Sequence, residues 1–429
     1  MASQPTRRTF IGTAAAAVSA PYFIPASALG RDGRPAPSNR VTMACIGVGN
    51  QGSGNMGSFL RDDRVQVVAI CDVDAGRATN SAGTAKVTGE RNITNDYREL
   101  IDRNDIDAVS IGTPDHWHVP IALAAVRSGK DIYCEKPVSL YVTEGRVLAD
   151  AVKEHGRIFQ TGTWRRSRAA CRRASELALN GYLGEMKRVE VGIPEGFGIR
   201  GGFTGMEEPQ PVPENLDYDR WLGPAPKAPY TEARVHFNFR WILDYSAGYI
   251  TDWGAHYIDI AHWGIGADGS GPREIIGTGK QKTEGIYDAP TDLDIRYAYD
   301  NGVEIHMRTS AERRDWGIRF IGSEADCYVE NVTYTPSDQN LKRVELKESD
   351  TKLYESVDHH RNFIDGVIDR KPTAAPADVA HSSAVACHLG TIAVLGGRTL
   401  KWDPETETID NDPEATSMLT RTPREGFAG

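Results

Sequence analysis

The sequence predicts an α/β chain in two parts: a doubly wound parallel sheet, then an α+β part built on a large, mostly antiparallel sheet. Three observations carry that reading. Up to about Gln160 short apolar runs alternate with helical patterns, the order that closes a parallel sheet through crossover helices. A glycine-rich turn, Gly47-Val48-Gly49-Asn50-Gln51-Gly52, separates two of these runs, and the second run ends at Asp72. From about Cys171 strand-like runs follow one another with turns and no helices between them, which implies antiparallel or mixed pairing.

The first residues fall outside this pattern. Thr6-Arg7-Arg8-Thr9-Phe10-Ile11 has the twin-arginine form, an Ala-rich apolar run follows to Ala20, and Ala26-Ser27-Ala28 is a small-residue cleavage site. A signal peptide over 1–28 is expected, with export of the folded chain to the periplasm or another extracytoplasmic space. The apolar run is too short and too Pro-interrupted for a stable membrane anchor. Residues 29–40, rich in Gly, Pro and Arg, read as a linker.

Residues 41–165 then alternate. Val41 to Cys45, Val65 to Cys71, Ala108 to Ile111, Ile132 to Cys134 and Arg157 to Gln160 read as strands. Helices are expected from Gly52, over Ala75 to Val87, His118 to Ser128 and Val142 to His155. In residues 166–403, a helix from Arg172 to Asn180 precedes strand-like runs at Met186 to Ile193, Arg273 to Lys280, Leu293 to Tyr299, Val303 to Thr309, Trp316 to Ile321 and Cys327 to Glu330. The Pro- and aromatic-rich insertion from Pro194 to Pro229 is long enough to be functional or interfacial. Helices close the pattern at His360 to Asp369 and Val379 to Leu395, and the tail, residues 404–429, carries no periodicity.

Composition narrows the function classes. The 429 residues are 40% hydrophobic and 25% charged, ordinary for a soluble two-domain protein, and the net charge of -10 argues against nucleic acid or anionic membrane as partner. A neutral small molecule fits better. The six cysteines form no Cys-x-x-Cys pair and read as thiols without a catalytic role.

The site residues follow from the chemistry of a dinucleotide. Gly47, Gly49 and Gly52, with Asn50 and Gln51 between them, give a tight turn, close approach to a pyrophosphate and contact between helix and strand, while the helix that begins at Gly52 points its amides at the phosphates. This is the Rossmann arrangement, and Asp72, twenty residues on, is placed to accept from the adenosine ribose hydroxyls. A carboxylate there opposes a 2′-phosphate, so NAD is expected over NADP, with Arg77 near enough to soften the repulsion. Lys136 in Glu135-Lys136-Pro137 can stabilise an alkoxide as hydride leaves. In Asp252-Trp253-Gly254-Ala255-His256, an imidazole base and a carboxylate that orients it stand four apart, on one face if the segment is helical. Spacing leaves open whether Lys136 or His256 finally takes the proton. Trp164, Arg165, Arg240 and Tyr245 form a candidate sugar-binding set, since C–H faces stack on aromatic rings and hydroxyls pair with Arg and Tyr. His116 and His118 lack a third ligand, so no metal is expected.

Gly47-x-Gly49-x-x-Gly52, Thr113-Pro114-Asp115-His116-Trp117-His118, Glu135-Lys136-Pro137 and Asp252-x-x-x-His256, in this order, resemble the glucose-fructose oxidoreductase/inositol dehydrogenase (Gfo/Idh/MocA) family from Val41 to about Asp403. The resemblance implies that Thr113 and Pro114 line the nicotinamide ribose, that His118 is the family's frequent histidine, that Glu135 and Lys136 belong to the cofactor site, and that the late helices pack back near the nucleotide domain. It implies an NAD(P)-dependent oxidoreductase acting on a secondary hydroxyl of a sugar, glycoside or cyclitol. Two alternatives stand beside it: an NAD-dependent glycoside hydrolase acting by transient oxidation, and a non-catalytic sugar or nucleotide sensor. An exported dehydrogenase meets little free NAD, so a tightly held nucleotide is expected. A large mixed sheet with one uncovered face is a usual dimer surface, so a homo-oligomer is expected as well.

Overall fold

The computed structural model describes residues 35–36 and 39–427. The twin-arginine and cleavage-site segments lie outside the described residues. What is described of the first forty is a turn in which the Asn39 amide donates to the Ala36 carbonyl at 2.8 Å and Arg40 Nε to the Pro35 carbonyl at 3.0 Å.

From Val41 the chain builds two sheets. The first is formed by β1 (Val41–Ile46), β2 (Val65–Cys71), β3 (Ile93–Thr94), β4 (Ala108–Ile111), β5 (Asp131–Cys134) and β6 (Phe159–Thr161), in the order β3-β2-β1-β4-β5-β6, parallel throughout. Helices α1 (Asn50–Phe59), α2 (Ala75–Ala85), α3 (Arg98–Ile101), α4 (His118–Arg127) and α5 (Val142–Glu154) form the crossovers. Strands such as Val-Thr-Met-Ala-Cys-Ile are apolar on both faces because helices cover both. On one side Ala44, Ile46, Val109 and Ile111 pack with Ile121, Ala125 and Leu148 of α4 and α5. On the other, Met43, Cys45 and Ile70 pack with Met56, Phe59 and Ala78 of α1 and α2.

After α6 (Ala169–Leu179) comes the second sheet. Its strands are β7 (Met186–Pro194), β8 (Glu274–Lys280), β9 (Thr291–Ala298), β10 (Glu304–Ser310), β11 (Gly317–Gly322), β12 (Asp326–Val329), β13 (Tyr334–Pro336), β14 (Leu400–Asp403) and β15 (Thr408–Ile409), ordered β13-β12-β11-β7-β10-β9-β8-β14-β15. Only β7 and β10 pair in parallel. Between β7 and β8 lie α7 (Tyr218–Leu222), a π-turn over Ile250–Gly254, and α8 (Ala255–Ile265). Helices α9 (His359–Asp369), α10 (Ala377–Gly396) and α11 (Pro413–Ser417) follow β13, the last after β15.

The late helices tie the two sheets. Phe363, Ile364 and Val367 of α9 join the first sheet's core, and so do Ala377, Ala380 and Ala384 at the start of α10. Farther along, Val385, Leu389 and Ile392 of α10 pack with α8 in the core of the second sheet. Helix α10 is apolar enough by composition to cross a membrane, yet it is apolar all round because it is buried in the fold. The insertion after β7 carries its own core, in which Trp221, Trp241, Tyr245 and Tyr287 are buried. It also reaches back to the first sheet: the Asp217 amide donates to the Val73 carbonyl and the Ala75 amide to the Asn215 carbonyl, each at 2.9 Å. All six cysteines are buried free thiols.

The glycine turn has tight backbone contacts. Gly47 has φ +74°, and a Cβ on Gly52 would lie 1.9 Å from the Gly47 carbonyl oxygen, whereas one on Gly54, an exposed position of α1, would meet nothing within 4 Å. Gly52→Ala should therefore lower stability by about 1–3 kcal/mol through overpacking. Gly54→Ala should raise it by up to about 1 kcal/mol through helix propensity. Urea unfolding of both variants checks the pair; equal and small effects would contradict the close approach.

Candidate active site

A cavity of about 380 Å³ runs along the carboxyl ends of β1, β2, β4 and β5. At its glycine end, the Gly47 amide donates to the Cys71 carbonyl at 2.8 Å, which turns the chain into α1. Gly49 is the N-cap of α1, no side chain caps it and no acidic residue stands in the first turn, so the opening amides are available to an anion. A Cβ on Gly49 would lie 2.7 Å from Arg77 Nη1, so the guanidinium lies beside this turn. Asn50 and Gln51 line the cavity; Gly52 lies behind, against Gly47. The Asp72 carboxylate accepts from the Val48 amide at 2.8 Å and the Asp74 amide at 2.9 Å, and burial raises its pKa despite those bonds. Amides at a cradle with no room for side chains, a nearby cation and a fixed carboxylate fit a dinucleotide.

At the far end stands Glu135-Lys136, directly after β5, with a cis peptide between Lys136 and Pro137. Glu135 Oε1 accepts from Asn55 Nδ2 at 2.9 Å and Gln51 Nε2 at 3.2 Å, fastening this corner to α1. Lys136 Nζ donates to Asp252 Oδ1 at 2.5 Å and to the Asp252 carbonyl at 2.8 Å. Arg240 Nε lies 3.5 Å from Asp252 Oδ2. Burial pushes the Asp252 carboxyl up, but the charges of Lys136 and Arg240 and their hydrogen bonds outweigh it and hold the pKa at about 2. His256 also lines the cavity; burial, then Arg165 and Lys136, push its pKa well below the usual histidine value, so the ring is neutral at pH 7. Its Nδ1 is buried with no partner among the described residues.

Three expectations, on Asp252, Tyr245 and Arg165, need correction. Asp252 does not orient His256: its carboxylate is taken by Lys136 and Arg240. Four-residue spacing aligns two side chains on an α-helix, but Ile250–Gly254 is a π-turn, whose wider winding takes the pair out of register. Tyr245 does not face the cavity. It is fully buried in the insertion's core, its ring 4.9 Å from Trp221 and 5.0 Å from His116.

Trp164 and Arg240 do line the cavity, as do Thr113, Pro114 and His118. Arg165 sits behind Trp164, its guanidinium 4.6 Å from that ring's centroid and 4.5 Å from Tyr257, so it positions the indole rather than meeting a ligand. The buried His118 ring faces the Pro137 carbonyl at 2.7 Å through Nδ1 and the Thr113 carbonyl at 3.0 Å through Nε2, which braces the two loops against each other. His116 Nε2 is likewise committed, to the Trp221 carbonyl at 3.0 Å, and among the described residues no group of His, Cys, Asp and Glu could hold a metal ion. Among the cavity residues that sequence reasoning passes over are Asp115, Arg200 and Phe427. Asp115 stands within the Thr113–His118 motif; burial raises its carboxyl to about 7, against a hydrogen bond from Ser246 Oγ at 2.6 Å. Arg200 and Phe427 lie in the insertion and the tail, where no periodicity marks them.

The Asp252 carboxyl has a folded pKa of about 2 against an ordinary 3.8, so its contribution is fully present above about pH 4 and is lost as pH falls through about 2. Asp252→Asn should cost about 2 kcal/mol at pH 7 and should flatten the stability–pH curve between those limits. Denaturant melts from pH 2 to 7 read both effects. An unchanged acid limb in the variant would contradict the pairing.

Comparison with known proteins adds the lineage. A glycosyl hydrolase family 109 protein of Stenotrophomonas maltophilia is 30% identical over 245 residues, 53% of this chain and 49% of the relative. An inositol 2-dehydrogenase of Salmonella typhimurium is 33% identical over 123 residues, 28% of this chain and 36% of the relative. The chain thus spans about half the length, or less, of the curated relatives it matches. GenD2 from gentamicin A biosynthesis, solved in complex with NAD, shares the fold with a TM-score of 0.63 at 18% identity, covering 85% of this chain and 97% of GenD2. The oxidoreductase-family NAD-binding Rossmann fold matches residues 41–163, and that family's C-terminal alpha/beta domain matches residues 168–428. Two matched domains, in order and over most of the chain, make this protein a member of the Gfo/Idh/MocA oxidoreductase family.

Proposed function

We propose that this protein is an NAD-dependent oxidoreductase that moves a hydride between the cofactor and a secondary hydroxyl or ketone of a sugar, glycoside or cyclitol. The observation that carries this reading is the Lys136–Asp252 pair at 2.5 Å, on the wall of a cavity whose other end is the glycine turn. When bound, the nicotinamide supplies the hydride acceptor. The amides of Gly49 and Asn50, with Arg77, bind the pyrophosphate, and Asp72 takes the adenosine ribose. Lys136, held by Asp252, donates a hydrogen bond to the substrate oxygen and stabilises the negative charge that develops there. His256, neutral at pH 7, is an acceptor for the hydroxyl proton. Trp164 offers an apolar face to sugar C–H groups, and Arg240 donors to its hydroxyls.

The finer assignments belong to the same proposal. Asp72 and Asp74 together oppose a 2′-phosphate, which supports NAD over NADP. Arg7-Arg8 and the segment after it support export of the folded chain with its nucleotide held. The exposed positions that alternate along β8 and β9 leave one face of the second sheet open for self-association. The similarity to a family 109 glycosyl hydrolase favours one second reading, in which the oxidised glycoside goes on to lose its aglycone.

Incubating the protein and NAD with a panel of glycosides deuterated at their secondary carbinols tests the reading. Deuterium should appear in the reduced nicotinamide with a keto-glycoside as product; free aglycone would select the hydrolase, and neither product would refute both. Lys136→Ala should lower turnover about a hundredfold or more with little change in nucleotide affinity. Near wild-type turnover in that variant would remove Lys136 from the mechanism.

A further inference from the structure

The cavity end remote from Lys136 has an aromatic wall that hydride chemistry does not use. Tyr97, just past β3, and Trp117, just before α4, meet edge to face with ring centroids 5.7 Å apart, and Trp117 meets Phe427 in the same way at 5.8 Å. All three line the cavity. Phe427 comes from the strap that follows α11, some three hundred residues beyond its neighbours.

The strap is fixed at two arginines. Arg421 Nη2 donates to the His116 carbonyl at 2.8 Å and to Glu144 Oε2 at 3.2 Å. Arg424 donates from Nε to the Gly223 carbonyl at 2.9 Å and from Nη2 to the Asp219 carbonyl at 2.8 Å, with its guanidinium 4.5 Å from the Phe427 ring centroid. Trp117 is fixed as well, because its Nε1 donates to the Arg220 and Trp221 carbonyls at 3.0 and 3.1 Å. The rings are therefore held in place by bonds that no ligand needs to make.

This wall continues from the carboxylate assigned to the adenosine ribose: the Asp72 amide donates to the Thr94 carbonyl at 3.1 Å, and Tyr97 is three residues farther on. A base attached to that ribose, on the side away from the pyrophosphate, meets this end of the cavity. Adenine has flat π-faces, and fixed aromatic side chains are what such faces bind. We infer that Phe427, with Trp117 and Tyr97, forms the adenine subsite, so that the C-terminal strap is part of the nucleotide site. The inference rests on the NAD reading above and extends it to a segment outside the first sheet.

Calorimetric titration of the full chain with NAD, AMP and nicotinamide mononucleotide tests it, with thermal melts as the folding control. Phe427→Ala should weaken NAD and AMP about tenfold or more and leave the mononucleotide unchanged; Phe427→Trp should keep near wild-type affinity. Unchanged NAD affinity in a folded Phe427→Ala protein overturns the adenine subsite while the NAD reading stands. Equal weakening of all three ligands also overturns it, because the ring would then serve only the fold. A raised sugar KM with unchanged NAD affinity gives the ring to the substrate and overturns it too. A wild-type chain freed of any bound nucleotide that binds none of the three overturns the NAD reading itself.

Discussion

The ion pair between Lys136 and Asp252 is the contact on which the rest of the site depends. A carboxylate and an ammonium with side chains only 19% and 12% exposed are costly to hold apart from water unless they meet each other. Here they meet, and in doing so they join the end of β5 in the first sheet to the π-turn that precedes α8 in the second. The neighbouring Glu135 makes the other half of the joint through Asn55 and Gln51 of α1. One dipeptide thus fastens the glycine helix through Glu135 and the π-turn through Lys136.

The surroundings of the pair are held by similar means. Trp164, Arg165 and Arg166 are consecutive and serve three ends: the indole faces the cavity, the Arg165 cation lies against Trp164 and Tyr257, and the Arg166 guanidinium is buried against Asp259 at 2.8 Å and Asp268 at 2.7 Å. Asp259 belongs to α8, so the Arg166 bond sets the helix that carries His256 against the segment that carries Trp164. The two rings then meet edge to face with centroids 5.7 Å apart. Across the cavity the insertion and the strap are joined to their neighbours through main-chain bonds and through arginine contacts to carbonyls and carboxylates.

Much of this was legible in the sequence, for identifiable reasons. The strands and helices of the first sheet carry strong periodicity, and the glycine turn, Asp72 and Lys136 follow chemistry that fixes residue type and spacing. What escaped was short or depended on tertiary contact. Strands of two to four residues, such as β3, β13, β14 and β15, have too little pattern to stand out from turns. The π-turn at Ile250–Gly254 cannot be read from spacing, and it is what changes the partner of Asp252 from His256 to Lys136. Tyr245 was a fair candidate by type, but aromatic side chains fill cores more often than they meet ligands, and its ring went to the core of the insertion. Arg200 and Phe427 reach the cavity from an insertion and a tail, and only the folded chain brings them together.

A crystal structure of the full chain with bound NAD tests the central claim most directly. The pyrophosphate should lie on the amides that open α1 at Gly49 and Asn50, the adenosine ribose on Asp72, and the nicotinamide ring against the Lys136–Asp252 pair. A dinucleotide lying in the opposite direction, or one whose nicotinamide is remote from Lys136, would contradict it.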